Sequence, residues 1–213
     1  MSIVESPAAV LHDNSRGSVY LIHQHGHAFI AKRSKRQERN VWMQFTSLYR
    51  KGEGARTLQN LSELYDCGLP VPQPVLILEK VRFACVVASW SLYAYVEGEA
   101  CTCADAPQIA ALLKRIHQKG WVHRDPHVQN FLKHKSRLSI IDCARARPWR
   151  SRYAQMYDLV LLNNCCPGTV PHYGISASSF LYRLAKAQNN LLKCWRQIKR
   201  IIRPWAYRHR TQG

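Results

Sequence analysis

The stretch His123-Arg124-Asp125-Pro126-His127-Val128-Gln129-Asn130, with Leu138-Ser139-Ile140-Ile141-Asp142 after it, decides the fold. The first segment follows a helical pattern and is predicted to be a loop, whereas the second is typical of a short strand that ends in a carboxylate. A carboxylate directly after two isoleucines is costly to desolvate unless a cation compensates for it. Asp125, Asn130 and Asp142 therefore form a set of oxygen-bearing side chains of the kind that Mg²⁺·ATP requires.

Working outward from this stretch, hydrophobic periodicity predicts strands first and helices later. In the first half the predicted elements are a hairpin of strands 19–22 and 28–31 turning at Gly26, a helix over 58–65 closed by Gly68, and strands 75–78 and 83–96. In the second half they are a helix from Pro107 to Gly120, short strands 131–132 and 138–141, a helix from Tyr153, and a final helix over 178–202. Strands with one helix followed by mostly helices indicate an α+β fold rather than alternating βαβ units.

The strongest bulk property is charge. The 213 residues carry 31 Lys and Arg but only 13 Asp and Glu, which gives a formal net charge of +18. A chain that is 46% hydrophobic can bury a core, so global disorder is excluded and a partner with negative charge is favoured. The charge is also uneven, because Asp158 is the last acidic residue and the 55 residues after it carry only basic or neutral side chains.

The eight cysteines are scattered, and the first residues lack the basic and apolar regions of a signal peptide. We therefore expect free thiols in a reducing cytoplasm rather than a disulfide framework. No apolar run is long enough to cross a bilayer.

The order and spacing of Asp125, Asn130 and Asp142 resemble the catalytic loop and metal-binding strand of the protein-kinase-like superfamily. Within that superfamily the sequence is most similar to the bacterial lipopolysaccharide core kinases, the heptose and Kdo kinase group. The resemblance implies a two-lobe fold with a small β-rich N-lobe, residues 1–97, and a mostly helical C-lobe, residues 98–213. It also implies ATP and Mg²⁺ as cofactors, Asp125 as the catalytic residue, and Asn130 and Asp142 as metal ligands.

The N-terminal half carries the same resemblance. Lys32, in Phe-Ile-Ala-Lys, stands where these kinases have their phosphate-binding lysine, and Glu53 is its implied partner with Glu63 as the alternative. Residues 14–19 occupy the place of the glycine-rich loop, and Tyr-Val-Glu-Gly resembles the hinge that meets adenine. The implied nucleotide-binding residues are Gly17, Val19, Lys32, Glu53, Tyr95, Val96 and Glu97. Asp158 matches an aspartate that supports the catalytic loop.

The sequence differs from protein kinases at positions that concern which molecule accepts the phosphate. His127 stands where protein kinases usually have a lysine, as in many kinases of sugars and other small molecules. Asp142 is followed by Cys-Ala rather than Phe-Gly, and the segment 143–157 is too short for an activation segment with its Ala-Pro-Glu anchor. These differences favour a sugar acceptor over a protein.

The final helix and its tail mix apolar and basic residues, among them Trp195 and, beyond Pro204, Trp205 and Arg210. Such a helix suits either a packed core with a solvated basic face or an interfacial contact. The resemblance implies a lipopolysaccharide core substrate and a cytoplasmic enzyme held peripherally at the anionic inner membrane. A kinase of proteins or other small molecules, and a non-catalytic polyanion binder, are the alternatives. Charge alone suggests nucleic acid, but no nucleic-acid-binding signature supports it.

Overall fold

The structure is a computed structural model that describes residues 9–15, 17–49 and 51–208, with side chains throughout except at 36, 37 and 201–208. The chain forms two compact units. Unit 1 contains residues 1–102 and 128–147, and unit 2 contains residues 103–127 and 148–213. The lobe boundary after Glu97 stays a prediction. Arg16 and Arg210, which belong to the predicted glycine-rich loop and tail, lie outside the described residues.

Unit 1 is built on a five-stranded antiparallel sheet in the order β1-β2-β3-β5-β4. Its strands are β1 (Ala9–Asp13), β2 (Ser18–Gln24), β3 (His27–Arg33), β4 (Pro74–Arg82) and β5 (Cys85–Ala94). Gln24 pairs with His27, so the turn has two residues, His25 and Gly26, with φ values of 50° and 77°. Two consecutive positive φ values suit the right-handed twist of a hairpin. The predicted hairpin is confirmed.

Three helices belong to unit 1: α1 (Lys35–Arg39), α2 (Val41–Thr46) and α3 (Glu53–Asp66). The α3 helix buries Leu61 and Leu64 at 2% exposure, and the chain leaves it through Gly68 at φ 72°, where only glycine is unstrained. The predicted helix before Gly68 is confirmed. The prediction of a single helix in this half was wrong, because α1 and α2 are too short to show periodicity.

A second, three-stranded sheet completes unit 1 in the order β6-β8-β9, from β6 (Glu99–Ala100), β8 (Phe131–His134) and β9 (Arg137–Ile140). Phe131 pairs with Ile140, and both side chains are almost fully buried. Short 3₁₀ turns over Val128–Asn130 and Cys143–Arg145 flank the β8–β9 hairpin. Asn130, which precedes β8, and Asp142, which follows β9, therefore lie at the same end of this hairpin.

Unit 2 is mostly helical. Its elements are a 3₁₀ turn (Cys103–Asp105), α4 (Ala106–Gln118), β7 (Trp121–Val122), α5 (Arg152–Cys165), α6 (Thr169–Tyr173) and α7 (Phe180–Arg208), with β10 (Arg147–Pro148) beginning at the unit boundary. Ile109 and Leu113 of α4 and Leu159 and Leu162 of α5 are fully buried. These residues recur at helical spacing, which is why the sequence predicted both helices.

The final helix, α7, packs on α5 through its first half, where Tyr182, Ala185 and Asn189 are buried. After residue 190 its described side chains are exposed apart from the half-buried Leu192. Among the described residues, no helix is both long enough and apolar enough to traverse a bilayer.

Candidate functional site

An ion pair between Lys32 and Asp142 is the central contact of the site in unit 1. Lys32 lies near the end of β3, where the register sets it between Val19 of β2 and Ser91 of β5. Its Nζ donates to Asp142 Oδ1 at 2.6 Å. The two side chains are 31% and 45% exposed, so the pair is open to solvent and can exchange partners. The sequence named both residues but not this contact.

Asp142 stands on a strained but well-anchored backbone. Its φ is 57°, in the left-handed region that costs a non-glycine residue roughly 1 kcal/mol. The turn after it is held by Asn60 of α3, whose Nδ2 donates to Cys143 O at 3.2 Å and to Ala146 O at 2.7 Å. Asn60 is buried beside Leu61, and this positioning role was missed by sequence reasoning. An amide on the apolar face of α3 was the available signal.

Asn130 and Asp142 lie at the same end of the β8–β9 hairpin. Ile141 N donates to Asn130 O at 2.8 Å, which places Asn130 opposite the residue before Asp142. An amide and a carboxylate offer hard oxygen donors of the kind that Mg²⁺ prefers. The described residues contain no group of three or more His, Cys, Asp or Glu that could hold a metal. The donor set fits an ion that takes its remaining ligands from phosphate oxygens and water.

Glu53 opens α3 and contacts Ser34 rather than Lys32. Ser34 Oγ donates to Glu53 Oε2 at 2.6 Å, and Glu63 accepts from Gln59 Nε2 at 2.7 Å. Over the described part of the chain, neither glutamate forms an ion pair with Lys32. The structure therefore differs from the sequence expectation, because Asp142 takes the lysine in this conformation.

In the segment predicted to be the glycine-rich loop, Asn14 and Gly17 are hydrogen-bonded to each other. Asn14 N donates to Gly17 O, and Gly17 N donates to Asn14 Oδ1, both at 3.0 Å. A Cβ on Gly17 would stand 2.7 Å from Arg33 O, so only glycine lets β2 approach β3 this closely. Val19 sits opposite Lys32 in the same register. Gly17, Val19 and Lys32 are thus neighbours at the open end of the β2–β3 hairpin, opposite its turn.

The predicted hinge, Tyr95-Val96-Glu97, follows β5 directly. Tyr95 N donates to Ala28 O at 2.9 Å and so continues the sheet by one residue. Tyr95 is 41% exposed, and Glu97 is exposed as well. Gly98 then lies against the Lys133 backbone, where a Cβ would stand 3.0 Å from the carbonyl oxygen at a φ of 154°.

Asp125 belongs to unit 2 and is half-buried, while His127 beside it is exposed. His127 N donates to Asp125 O at 2.8 Å, which closes a tight turn. The chain enters this turn through Arg124, whose φ is 66°. A second left-handed residue thus precedes the predicted catalytic aspartate, and such strain persists only where neighbouring contacts hold it.

Those contacts come from Asp158 of α5. Its Oδ2 accepts from His123 N at 2.6 Å, and its Oδ1 accepts from Arg124 N at 2.8 Å. The Asp158 side chain is 2% exposed; its hydrogen bond from His123 N is buried, and the one from Arg124 N is partly buried. The prediction that Asp158 supports this loop is confirmed.

Two further residues extend this network and were missed by sequence reasoning. His117 Nε2 lies 3.3 Å from Asp158 Oδ2, and His117 Nδ1 lies 2.7 Å from Tyr173 Oη. Burial, with the Asp158 charge adding to it, raises the pKa of Tyr173 to about 12. The phenol therefore stays protonated at neutral pH. In the sequence, the only indication of this network was a histidine at the end of the apolar helix α4.

Burial also raises the pKa of two groups near Asp142, the Cys143 thiol and the Tyr93 phenol. It raises the pKa of Cys143 to about 12, with the Asp142 charge as the second cause. The Tyr93 phenol has its pKa raised for the same two reasons. Both groups are neutral at physiological pH, so Lys32 and Asp142 supply the charges at this end of the site.

Comparison with known proteins identifies the family and the fold of the chain. A search of curated proteins found no significant match. The chain resembles a solved structure, "WaaP in complex with acyl carrier protein", with a TM-score of 0.51 and 16% identity over 95% of this chain and 86% of that chain. This likeness supports the predicted α+β, kinase-like two-lobe fold.

The family model "Lipopolysaccharide kinase (Kdo/WaaP) family" matches residues 32–167, a range that includes Lys32, Asp125, Asn130 and Asp142. Gly17 and Val19 precede the matched range. Members of such a family are ATP-using phosphotransferases with a sugar hydroxyl of lipopolysaccharide as acceptor. Because the match spans more than half of the chain, the chain belongs to the lipopolysaccharide kinase (Kdo/WaaP) family.

Proposed function

We propose that the chain transfers the γ-phosphoryl group of ATP to a heptose or Kdo hydroxyl of the lipopolysaccharide inner core. The observation that carries this proposal is the 2.6 Å contact between Lys32 Nζ and Asp142 Oδ1, with Asn130 at the same hairpin end. A cation for phosphate and oxygen donors for Mg²⁺ are the parts that phosphoryl transfer needs close together.

Each site residue then has a distinct role. Asp125 orients the acceptor hydroxyl and takes its proton, and Asn130 and Asp142 hold Mg²⁺, which neutralises charge on the transferring phosphate. Lys32 leaves Asp142 for the phosphates of ATP and is then steadied by Glu53. Gly17 and Val19 cover the phosphates, and the backbone of Tyr95, Val96 and Glu97 meets adenine. Residues 1–97 and 98–213 act as N-lobe and C-lobe.

The acceptor is a sugar rather than a protein. His127 is exposed beside Asp125, where a neutral or singly charged imidazole can hydrogen-bond a sugar hydroxyl. The segment between Asp142 and α5 is a 3₁₀ turn and the short strand β10, which offers no platform for a docked peptide.

The enzyme works at the cytoplasmic face of the inner membrane, where it is held peripherally. Leu191, Trp195 and Ile198 are exposed on α7 at 71%, 54% and 45%, among basic residues such as Lys199. Apolar and basic residues combined on one helix are typical of binding to anionic lipid surfaces.

The deciding experiment is transfer of labelled γ-phosphate from ATP to purified core oligosaccharide. Asp125→Asn is expected to lose about 10³-fold in rate or more, because it removes the group that orients and deprotonates the acceptor. Asp66→Asn, an exposed aspartate at the end of α3, is the matched control and is expected to be active. Equal transfer by wild type and Asp125→Asn would remove Asp125 from its catalytic role.

Acceptors of defined structure separate the remaining possibilities. Transfer to a core containing only Kdo assigns Kdo, and transfer that requires heptose assigns heptose. Transfer to casein but not to the core would favour a protein kinase. A salt-sensitive nucleic-acid shift without any transferase activity would favour the polyanion binder.

A further inference from the structure

The short helix α2 and the turn after it expose their apolar side chains to solvent. Val41, Trp42, Phe45 and Tyr49 are 70%, 76%, 61% and 90% exposed, and Leu48 is 39% exposed. No residue of α2 is buried. A surface element normally turns such side chains inward, so a cluster of large exposed apolar residues indicates a contact surface.

The orientation of α2 is fixed by its polar side. Ser47 Oγ accepts from Val86 N of β5 at 2.8 Å, and Gln44 Nε2 donates to Glu38 O at 2.8 Å. Asn40 caps the helix by accepting from Met43 N at 3.2 Å. The polar residues thus attach α2 to unit 1, and they leave the apolar face exposed to solvent. This face is defined as Val41, Trp42, Phe45, Leu48 and Tyr49, of which Leu48 and Tyr49 also line a cavity beside α3 and β4.

The sequence on either side of the apolar face is basic. Between residues 35 and 51 the sequence contains one acidic residue, Glu38, against the basic residues Lys35, Arg36, Arg39, Arg50 and Lys51. A second copy of the chain is a poor occupant, because two such segments repel each other in a protein of net charge +18. An anionic bilayer surface complements both properties: it accepts Trp and Tyr at the headgroup level and attracts the flanking cations.

We propose that the apolar face of α2 inserts into the headgroup region of an anionic bilayer and forms a second membrane contact, separate from α7. This inference deepens the proposed membrane association and rests on it. A substrate linked to lipid stays in the bilayer, so a contact on unit 1 raises the local concentration of the acceptor for the unit that carries Lys32 and Asp142.

The test is cosedimentation of the full chain with phosphatidylcholine vesicles, with and without phosphatidylglycerol. The Trp42→Ser/Phe45→Ser variant is expected to bind anionic vesicles about tenfold more weakly, because it removes two interfacial aromatic side chains. Leu11→Ser is the matched control and is expected to bind like wild type, since Leu11 is an apolar residue of β1 that is 52% exposed and lies outside both α2 and α7. Tyr49→Glu, at a 90% exposed position, cannot disturb the core and is expected to weaken binding as well.

The outcomes separate the inference from the proposed function. Wild-type binding that the α2 variants leave unchanged would overturn the inference and point to a protein as the occupant of this face. Equal binding to neutral and anionic vesicles would overturn the choice of an anionic surface. Absence of wild-type binding would overturn both the inference and the membrane location. Phosphate transfer to water-soluble, deacylated core should be equal in wild type and the α2 variants, and its absence in all of them would count against the proposed function alone.

Discussion

Two aspartates, one in each unit, have opposite surroundings. Asp142 of unit 1 is 45% exposed, has a left-handed backbone and contacts Lys32. Asp158 of unit 2 is 2% exposed and accepts two backbone N–H groups while facing His117. Burial raises the pKa of a neighbour of each aspartate, Cys143 or Tyr173, and the aspartate charge adds to that rise. The comparison shows how one residue type serves as an exchangeable charge when it is open to solvent and as a fixed structural acceptor when it is buried.

The largest expected effect is on catalysis at Asp142. Asp142→Asn should lower the rate of γ-phosphate transfer about 10³-fold, because the amide binds Mg²⁺ far more weakly than the carboxylate. The free energy of unfolding should change by less than about 1 kcal/mol, since the ion pair is exposed and asparagine tolerates the left-handed backbone. Transfer kinetics and urea unfolding of the same preparation measure both. If Asp142→Asn were unfolded or fully active, the contrast between a catalytic Asp142 and a structural Asp158 would be wrong.

The second effect is on stability at Asp158. Asp158→Ala should lower the free energy of unfolding by about 3 kcal/mol, because the buried N–H group of His123 and the partly buried N–H group of Arg124 lose their acceptor. Urea unfolding measures this change, with Asp66→Ala as the exposed control. Activity should fall too, since the loop that carries Asp125 loses its support. A loss of stability below about 1 kcal/mol would show that the loop holds its shape without Asp158.

The third effect appears at alkaline pH and concerns Tyr173. Its pKa is about 12 in the folded protein and about 10 in an unfolded chain. A raised folded pKa means that the stability from this group is complete below pH 10 and is lost as the pH rises from 10 to 12. Wild type should therefore lose about 2 kcal/mol more than Tyr173→Phe over this window.

Urea unfolding of both proteins at a series of pH values tests this expectation. Other buried groups, such as Cys143, titrate equally in wild type and Tyr173→Phe, so the difference between the two curves isolates Tyr173. Parallel curves would show that neither burial nor the Asp158 charge holds the Tyr173 proton.

The comparison also marks what sequence could predict. Asp125, Asn130 and Asp142 were predicted from their order and spacing along the chain, and the resemblance to kinases predicted the support that Asp158 gives to the loop. The hairpin at Gly26 was found because turn chemistry is local. The N-terminal strand β1 showed no pattern, since all five of its residues are exposed, and α1 and α2 are shorter than two helical turns.

The carboxylate that forms an ion pair with Lys32 could not be predicted from the sequence. Lys32 and Asp142 are far apart in the chain, and whether Lys32 pairs with Asp142, Glu53 or Glu63 depends on three-dimensional distance. Asn60, His117 and Tyr173 act through buried hydrogen bonds, whose partners no periodicity reveals. The sequence therefore predicted the candidate residues and the support from Asp158, whereas the structure was needed to assign the partner of Lys32 and the roles of Asn60, His117 and Tyr173.

The smallest expected effect tests whether Lys32 exchanges Asp142 for Glu53. Ser34 Oγ donates to Glu53 Oε2 in this structure, so Ser34→Ala should free that carboxylate for Lys32. The KM for ATP should then fall about twofold, in keeping with the modest net contribution of one partly buried hydrogen bond. Glu53→Gln should instead raise KM, because it removes the charge that steadies the lysine once Asp142 holds Mg²⁺. Glu63→Gln is the matched control and should leave KM unchanged. If Glu63→Gln raised KM and Glu53→Gln did not, Lys32 would exchange Asp142 for Glu63.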